Sequence, residues 1–188
     1  MLSRTVLLAL AFVAALGPAR ADTIEEKAVV CGGCHGENGV PQDKTFPVIW
    51  GQQEGYLYLQ LRDYKSGDRK NETMEAVVAD FTKDDMFALA AYFAKKVWPD
   101  PQQPRAPKDV ATRAATANGS VGCTGCHQEG YMGAGTKPRL AGQTKEYLAQ
   151  TMADFRTRKR GNNPGMSDLM LATSPDDLAA MAEYLSGL

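Results

Sequence analysis

Cys31-Gly32-Gly33-Cys34-His35 and Cys123-Thr124-Gly125-Cys126-His127 decide how this 188-residue chain reads, because between them they hold all four cysteines and both histidines. Cys-x-x-Cys-His is the spacing of c-type haem attachment. Two thiols two residues apart can each form a thioether to one of the two vinyl groups of a haem, and the next side chain then lies under the iron. His35 and His127 therefore read as proximal iron ligands. A thioredoxin-like dithiol needs neither the histidine nor a second copy of the motif. A zinc site built from Cys31, Cys34, Cys123 and Cys126 leaves both histidines unexplained. Two covalently bound haem c groups are the cofactors expected, one on Cys31 and Cys34, the other on Cys123 and Cys126.

Working outward, the chain ahead of the first motif carries an export signal. Residues 1–21 combine Arg4, an apolar run over residues 6–16 and Ala19-Arg20-Ala21 as a small-x-small cleavage site. The run is about half of the roughly 20 residues that a membrane span needs, and no later segment is apolar enough to span. A cleaved signal peptide and a soluble exported protein are expected. The composition, 44% hydrophobic and 8% aromatic with 21 Lys+Arg against 22 Asp+Glu, is ordinary for a globular chain.

The two motifs stand 92 residues apart, and the self-similarity extends beyond them. Pro47, Gly51-Gln52, Tyr56-Leu57, Asp63 and Arg69 match Pro138, Gly142-Gln143, Tyr147-Leu148, Asp154 and Arg160 at an offset of 91. Met74, Asp84-Asp85 and Tyr92 match Met166, Asp176-Asp177 and Tyr184 at 92. Between the repeats lies Trp98-Pro99-Asp100-Pro101-Gln102-Gln103-Pro104-Arg105-Ala106-Pro107, whose prolines favour an extended connector. The expected organisation is residues 22–98 as an N-terminal domain, 99–108 as a Pro-rich linker and 109–188 as a C-terminal domain. Units this small gain much of their apolar core from a covalently held haem.

No histidine remains for a bis-His site, which leaves Met, Lys or an empty position for the sixth iron ligand, and the repeat decides among the methionines. Most methionines sit opposite aliphatic residues in the repeat: Met86 aligns with Leu178, Met181 with Leu89, Met152 with Leu61 and Met170 with Val78. These are interchangeable packing positions. Only Met74 and Met166 align Met on Met, each 39 residues after its own histidine, and they are the expected distal ligands. Met166 follows a turn-rich stretch, Asn162-Asn163-Pro164-Gly165.

The periodicity is helical. Tyr56, Leu57, Gln60, Leu61 and Tyr64 recur on one face, as do Tyr147, Leu148, Thr151, Met152 and Phe155. Thr82 with Asp85, and Ser174 with Asp177, read as N-terminal caps of helices with Met86, Leu89, Ala90 and Phe93, and Leu178, Met181, Ala182 and Leu185, facing inward. Each unit reads as helix, haem motif, loop, helix, Met loop, helix, with no convincing strand.

Two Cys-x-x-Cys-His units, each followed by Pro-x-x-x-Gly-Gln, a distal Met and a terminal Ala-x-Tyr helix, resemble the dihaem cytochrome c4 family of class I c-type cytochromes. The likeness is closest over Pro138-Arg139-Leu140-Ala141-Gly142-Gln143, while the first half departs from the usual wording with Pro47-Val48-Ile49-Trp50-Gly51-Gln52. It implies an all-α fold of two tandem class I cytochrome c domains, each wrapped around one covalently attached haem c. It also implies an electron carrier of the bacterial periplasm. In that pattern the carbonyls of Pro47 and Pro138 accept the Nδ1 hydrogens of His35 and His127. Arg69 and Arg160, repeated shortly before each Met, can pair with haem propionates or stand as solvated charges.

Six-coordinate His/Met iron leaves no open position for peroxide or dioxygen, so electron transfer is expected, not catalysis; a dihaem peroxidase is disfavoured. The resemblance implies a respiratory-chain donor such as a quinol-oxidising complex or dehydrogenase, and an acceptor such as a cbb3-type terminal oxidase. The alternative is the cytochrome subunit of a flavin or quinoprotein dehydrogenase. Charge is uneven: residues 22–100 hold nine Lys+Arg and 14 Asp+Glu, residues 101–188 ten and eight. Arg156, Arg158, Lys159 and Arg160 supply much of the later excess, as a docking patch or a solvated helix end. The patch is too small, and the chain too acidic, for a nucleic-acid partner. Membrane association is expected to be peripheral at most.

Overall fold

The computed structural model describes residues 23–188; the expected signal peptide, residues 1–21, lies outside them. Among the described residues there are nine α-helices: α1 (Ile24–His35), α2 (Glu54–Ser66), α3 (Glu72–Val78), α4 (Lys83–Ala94), α5 (Lys108–Val121), α6 (Cys123–His127), α7 (Lys145–Arg156), α8 (Pro164–Ala172) and α9 (Pro175–Ser186). Their only β pairing is an isolated bridge between Ala134 and Lys137. None of these helices is long and apolar enough to cross a membrane.

The helices begin where the sequence supplies caps. At α1 the Thr23 hydroxyl accepts from the Glu26 amide while the Glu26 carboxylate accepts from the Thr23 amide, satisfying two donors that a helix start would otherwise leave open. Thr82 and Asp85 repeat this reciprocal arrangement at α4. Ser174 caps α9, with Pro175 at its first position.

Two local departures from the sequence reading have simple causes. Met74 and Met166 do not sit in loops; each is the third residue of a short helix, α3 or α8, with its amide donating to the side chain of Asn71 or Asn163. Asn followed by Pro, read as a turn, here acts as a cap with proline at the first helical position. The haem motifs also differ in setting. α1 runs unbroken through Cys31 to His35, whereas Gly122, with φ of 71°, separates α5 from α6. Its counterpart in the first half is Val30, which has a Cβ and continues the helix.

Each half has its own core. In the first, Ala28, Leu57, Leu89, Ala90 and Phe93 bring α1 and α2 onto α4. In the second, Leu148, Met152, Phe155, Leu178, Met181 and Leu185 join α7 to α9, and Ala114 and Ala117 let α5 approach closely. All the inward-facing positions expected on α4 and α9 are buried. The connector is tied down, since the Gln103 amide donates to the carbonyls of Gln143 and Ser186 and accepts from the Lys145 amide. Lys108, expected in the connector, instead opens α5 behind Pro107.

The repeated Gly-Gln dipeptide is placed by its glycine. Gly51 and Gly142 both adopt left-handed φ, 66° and 74°, and donate to Phe93 O and Leu185 O near the ends of α4 and α9. A Cβ on Gly51 would lie 2.9 Å from the Trp98 backbone nitrogen. Only glycine meets both requirements without strain, and the glutamine that follows is thereby directed at the opposite half.

Lys27 on α1 pairs with Asp85 on α4, and this bond, with those from the Thr82 amide and hydroxyl, holds the Asp85 carboxyl down at about 2. A carboxylate depressed below its unfolded value stabilises the fold above that value. Asp85→Asn is therefore expected to lower stability by about 1 kcal/mol near neutral pH. Its deficit relative to the parent, measured by urea unfolding, should persist down to about pH 4 and vanish as pH falls through about 2.

Candidate functional site

His35 ends α1 and His127 ends α6, and both rings are buried. His35 Nδ1 lies 2.8 Å from Pro47 O, and His127 Nδ1 lies 2.9 Å from Pro138 O. A carbonyl only accepts, so Nδ1 carries the hydrogen and Nε2 keeps its lone pair. Burial lowers the pKa of both imidazoles, outweighing the prolyl hydrogen bond that favours the charged form. The rings are neutral and presented as ligands. The same cavity, about 1070 Å³, is lined by both cysteine pairs, both histidines, Met74 and Met166. That exceeds the roughly 300–1,000 Å³ of an ordinary single-ligand pocket.

None of the four cysteines pairs in a disulfide; Cys34 and Cys126 are exposed and Cys31 and Cys123 half-buried. Before a thioether forms, burial pushes the Cys31 thiol up to about 11 and raises Cys123 as well. These are not activated thiolates of the redox kind. Among the described residues no group of three or more His, Cys, Asp or Glu could hold a metal ion, so the two motifs do not converge on a zinc site.

Between the halves the repeated residues meet as near-symmetric pairs. Arg69 donates to Tyr147 Oη at 3.2 Å, and Arg160 donates to Tyr56 Oη at 3.3 Å. Arg69 lies over the Tyr64 ring and Arg160 over that of Phe155. Gln60 Oε1 accepts from Arg69 Nη1, Arg160 Nη2 and Asn162 Nδ2. Both guanidiniums are buried, line the cavity and make no ion pair among the described residues. Burial pushes the Tyr147 phenol up, but the charges of Arg69 and Arg160 outweigh this and leave it well below its usual value. Two buried cations without a carboxylate are costly unless an anion joins them. Haem propionates have the charge and the acceptor oxygens to do so, and the donor set therefore fits the cofactor.

The basic cluster ahead of Met166 is largely engaged within the chain. Arg156 Nη1 donates to Met170 O, Leu171 O and Thr173 O at the end of α8. Arg158 pairs with Asp168, and Lys159 with Asp154. Two of the four cations thus have carboxylate partners, and Arg156 closes the end of α8.

Sequence reasoning did not anticipate the bracing between halves. Gln52, Gln143, Tyr56 and Tyr147 were visible as repeated polar positions with no ligand role, which is the signal an interface leaves in a duplicated chain. Gln60 and Asn162 left none, because Thr151 stands opposite Gln60 and Asn71 opposite Asn163 in the alignment.

A helical capsule with a buried histidine, a cysteine pair and a methionine lining one cavity, built twice in one chain, defines a two-haem c-type cytochrome. The cytochrome c family model matches residues 111–188. The chain is 35% identical over 180 residues to cytochrome c4 of Azotobacter vinelandii, covering 86% of each. It is 32% identical over 172 residues to the thiosulfate dehydrogenase electron acceptor of Stutzerimonas stutzeri, covering 86% of this chain and 80% of that one. The crystal structure of reduced recombinant cytochrome c4 from Pseudomonas stutzeri superposes with a TM-score of 0.78 at 30% identity, over 88% of this chain and 96% of that one. The chain belongs to the cytochrome c4 family of dihaem class I cytochromes. It carries two covalently bound haem c groups and is an electron-transfer protein, not an enzyme.

Gln60→Leu should remove the acceptor shared by Arg69 of its own half and by Arg160 and Asn162 of the other, leaving Arg69 Nη1 without its partner while Arg160 and Asn162 keep Tyr56 Oη and Asp63. The expected loss is about 1–3 kcal/mol in denaturant unfolding of the two-haem protein.

Proposed function

We propose that Cys31 and Cys34 hold one haem c and Cys123 and Cys126 the other, that His35 and His127 are the proximal ligands, and that Met74 and Met166 are the distal ones. The observation that carries this reading is the duplicated imidazole geometry: a buried ring whose Nδ1 is taken by the carbonyl of Pro47 or Pro138, beside a cavity lined by the methionine of the same half. The bound haem supplies a one-electron change at iron. The chain's own residues attach it, orient the imidazole and exclude solvent from one side. Fixing Nδ1 sets the ring plane and raises ligand basicity, while the soft thioether of a distal Met favours the ferrous state and raises the potential. Arg69 and Arg160 neutralise propionates where the halves meet.

Residues 22–98 and 109–188 serve as two redox lobes joined by residues 99–108, so that an electron can enter at one and leave at the other. Residues 1–21 direct export to the periplasm. There the protein acts in a respiratory chain, taking electrons from a quinol-oxidising complex or dehydrogenase and passing them towards an acceptor such as a cbb3-type terminal oxidase. Any membrane association is peripheral. A second reading, the dedicated acceptor or cytochrome subunit of a periplasmic dehydrogenase, is favoured by the likeness to the thiosulfate dehydrogenase electron acceptor. Co-purification with a larger catalytic chain would select it over the general carrier.

Optical and EPR spectra test the ligand set. The ferric protein should be low-spin with the weak red-end absorption of sulfur on iron, and Met74→Ala and Met166→Ala should each remove part of that band. High-spin ferric haem in the unaltered protein, or a band insensitive to both changes, would overturn the assignment.

A further inference from the structure

Gln52 and Gln143, buried at the centre of the contact between the halves, grip each other's backbone in a reciprocal pattern. Gln143 Oε1 accepts from Val48 N at 2.8 Å, and Gln143 Nε2 donates to Val48 O at 3.0 Å. Gln52 Oε1 accepts from Arg139 N at 2.7 Å, and Gln52 Nε2 donates to Arg139 O at 3.0 Å. The amides gripped in this way matter because of their partners across the peptide bond. Val48 N–H and Pro47 C=O belong to one peptide group, and so do Arg139 N–H and Pro138 C=O. Pro47 O holds His35, and Pro138 O holds His127.

A continuous chain therefore runs from each histidine to the opposite half. His35 Nδ1–H donates to Pro47 O, and the far end of that same peptide donates to Gln143. His127 Nδ1–H donates to Pro138 O, whose peptide donates to Gln52. A peptide whose N–H is engaged is a stronger acceptor at its oxygen, because hydrogen bonds in series polarise one another. A stronger acceptor at Nδ1 gives the imidazole more anionic character, which favours ferric over ferrous iron. The two glutamines also fix the planes of these peptides, and with them the orientation of each ring.

We propose that Gln52 and Gln143 are positioning residues acting crosswise: Gln143, in the second half, sets the potential of the haem on Cys31 and Cys34, and Gln52, in the first half, sets that of the haem on Cys123 and Cys126. Each lobe is thereby tuned by the presence of the other. The inference rests on the histidine ligation proposed above. Failure of that ligation would show separately, as a wild-type ferric spectrum that is not low-spin.

The test is a redox titration of the full two-haem protein, with each haem followed by its own methyl resonances in NMR. Gln143→Met keeps chain length but removes both hydrogen bonds. It should raise the midpoint potential of the haem on Cys31 and Cys34 and leave the other in place, and Gln52→Met should do the reverse. A purely structural interface residue would lower stability without this pattern. Equal shifts of both haems, a shift confined to the variant's own half, or no shift in a protein with wild-type ligand spectra would overturn the proposal. Should a Met variant fail to accumulate with two haems, Gln143→Glu and Gln52→Glu retain the accepting oxygen. Each should then lower the opposite haem's potential more than that of its own half, and the converse order would be equally decisive against it.

Discussion

An imidazole whose Nδ1 hydrogen is already committed has a single lone pair left to offer, and its ring cannot turn. That constraint, imposed by Pro47 on His35 and by Pro138 on His127, is the one on which the remaining architecture depends. It requires a carbonyl held rigidly beside the end of α1 and of α6, and the surrounding elements supply it. Gly51 and Gly142, in left-handed conformations, anchor the segments bearing those carbonyls to the ends of α4 and α9. The glutamines that follow brace the same segments from the opposite half. A short element such as Pro-x-x-x-Gly-Gln thus serves ligand orientation, helix packing and joining of the halves together.

The contact between halves is built from duplicated residues in reciprocal pairs, each touching the counterpart of the residue that its own counterpart touches. Arg69 reaches Tyr147 as Arg160 reaches Tyr56, and Gln52 holds Arg139 as Gln143 holds Val48. This is the self-complementary pattern of a two-fold interface, here within one chain. Its buried hydrogen-bonding residues are polar, two guanidiniums among them. Buried guanidiniums without carboxylates are costly unless anions complete them, and the propionate pairing proposed for Arg69 and Arg160 would join the interface to the cofactor sites. The cavity extends through both halves for the same reason.

Much of this was legible in the residues, and the parts that were not have physical explanations. The Cys-x-x-Cys-His pairs announce haem because the chemistry demands that spacing, and the Met-on-Met alignment singles out Met74 and Met166 because packing methionines exchange freely with Leu and Val. The inner faces of α4 and α9 followed from periodicity. The setting of the methionines did not, since Asn-Pro signals a turn and a helix start alike until the cap hydrogen bond to the Met166 amide is seen. Nor did the fate of Arg156, Arg158 and Lys159, because charge counting registers cations but not the carbonyls and carboxylates that engage them. The glutamine bracing left only a repeated polar position as its trace: hydrogen bonds between residues some 90 positions apart do not name their partners.

The intact mass of the purified exported chain under denaturing conditions bears most directly on the claim that each half is built around its own tethered porphyrin. The expected value is that of the chain as purified, residues 22–188 where the proposed signal peptide is removed, plus two haems, surviving acid and organic solvent because thioethers do not dissociate. A mass with a single tetrapyrrole, or with none, is incompatible with two haem lobes in one chain.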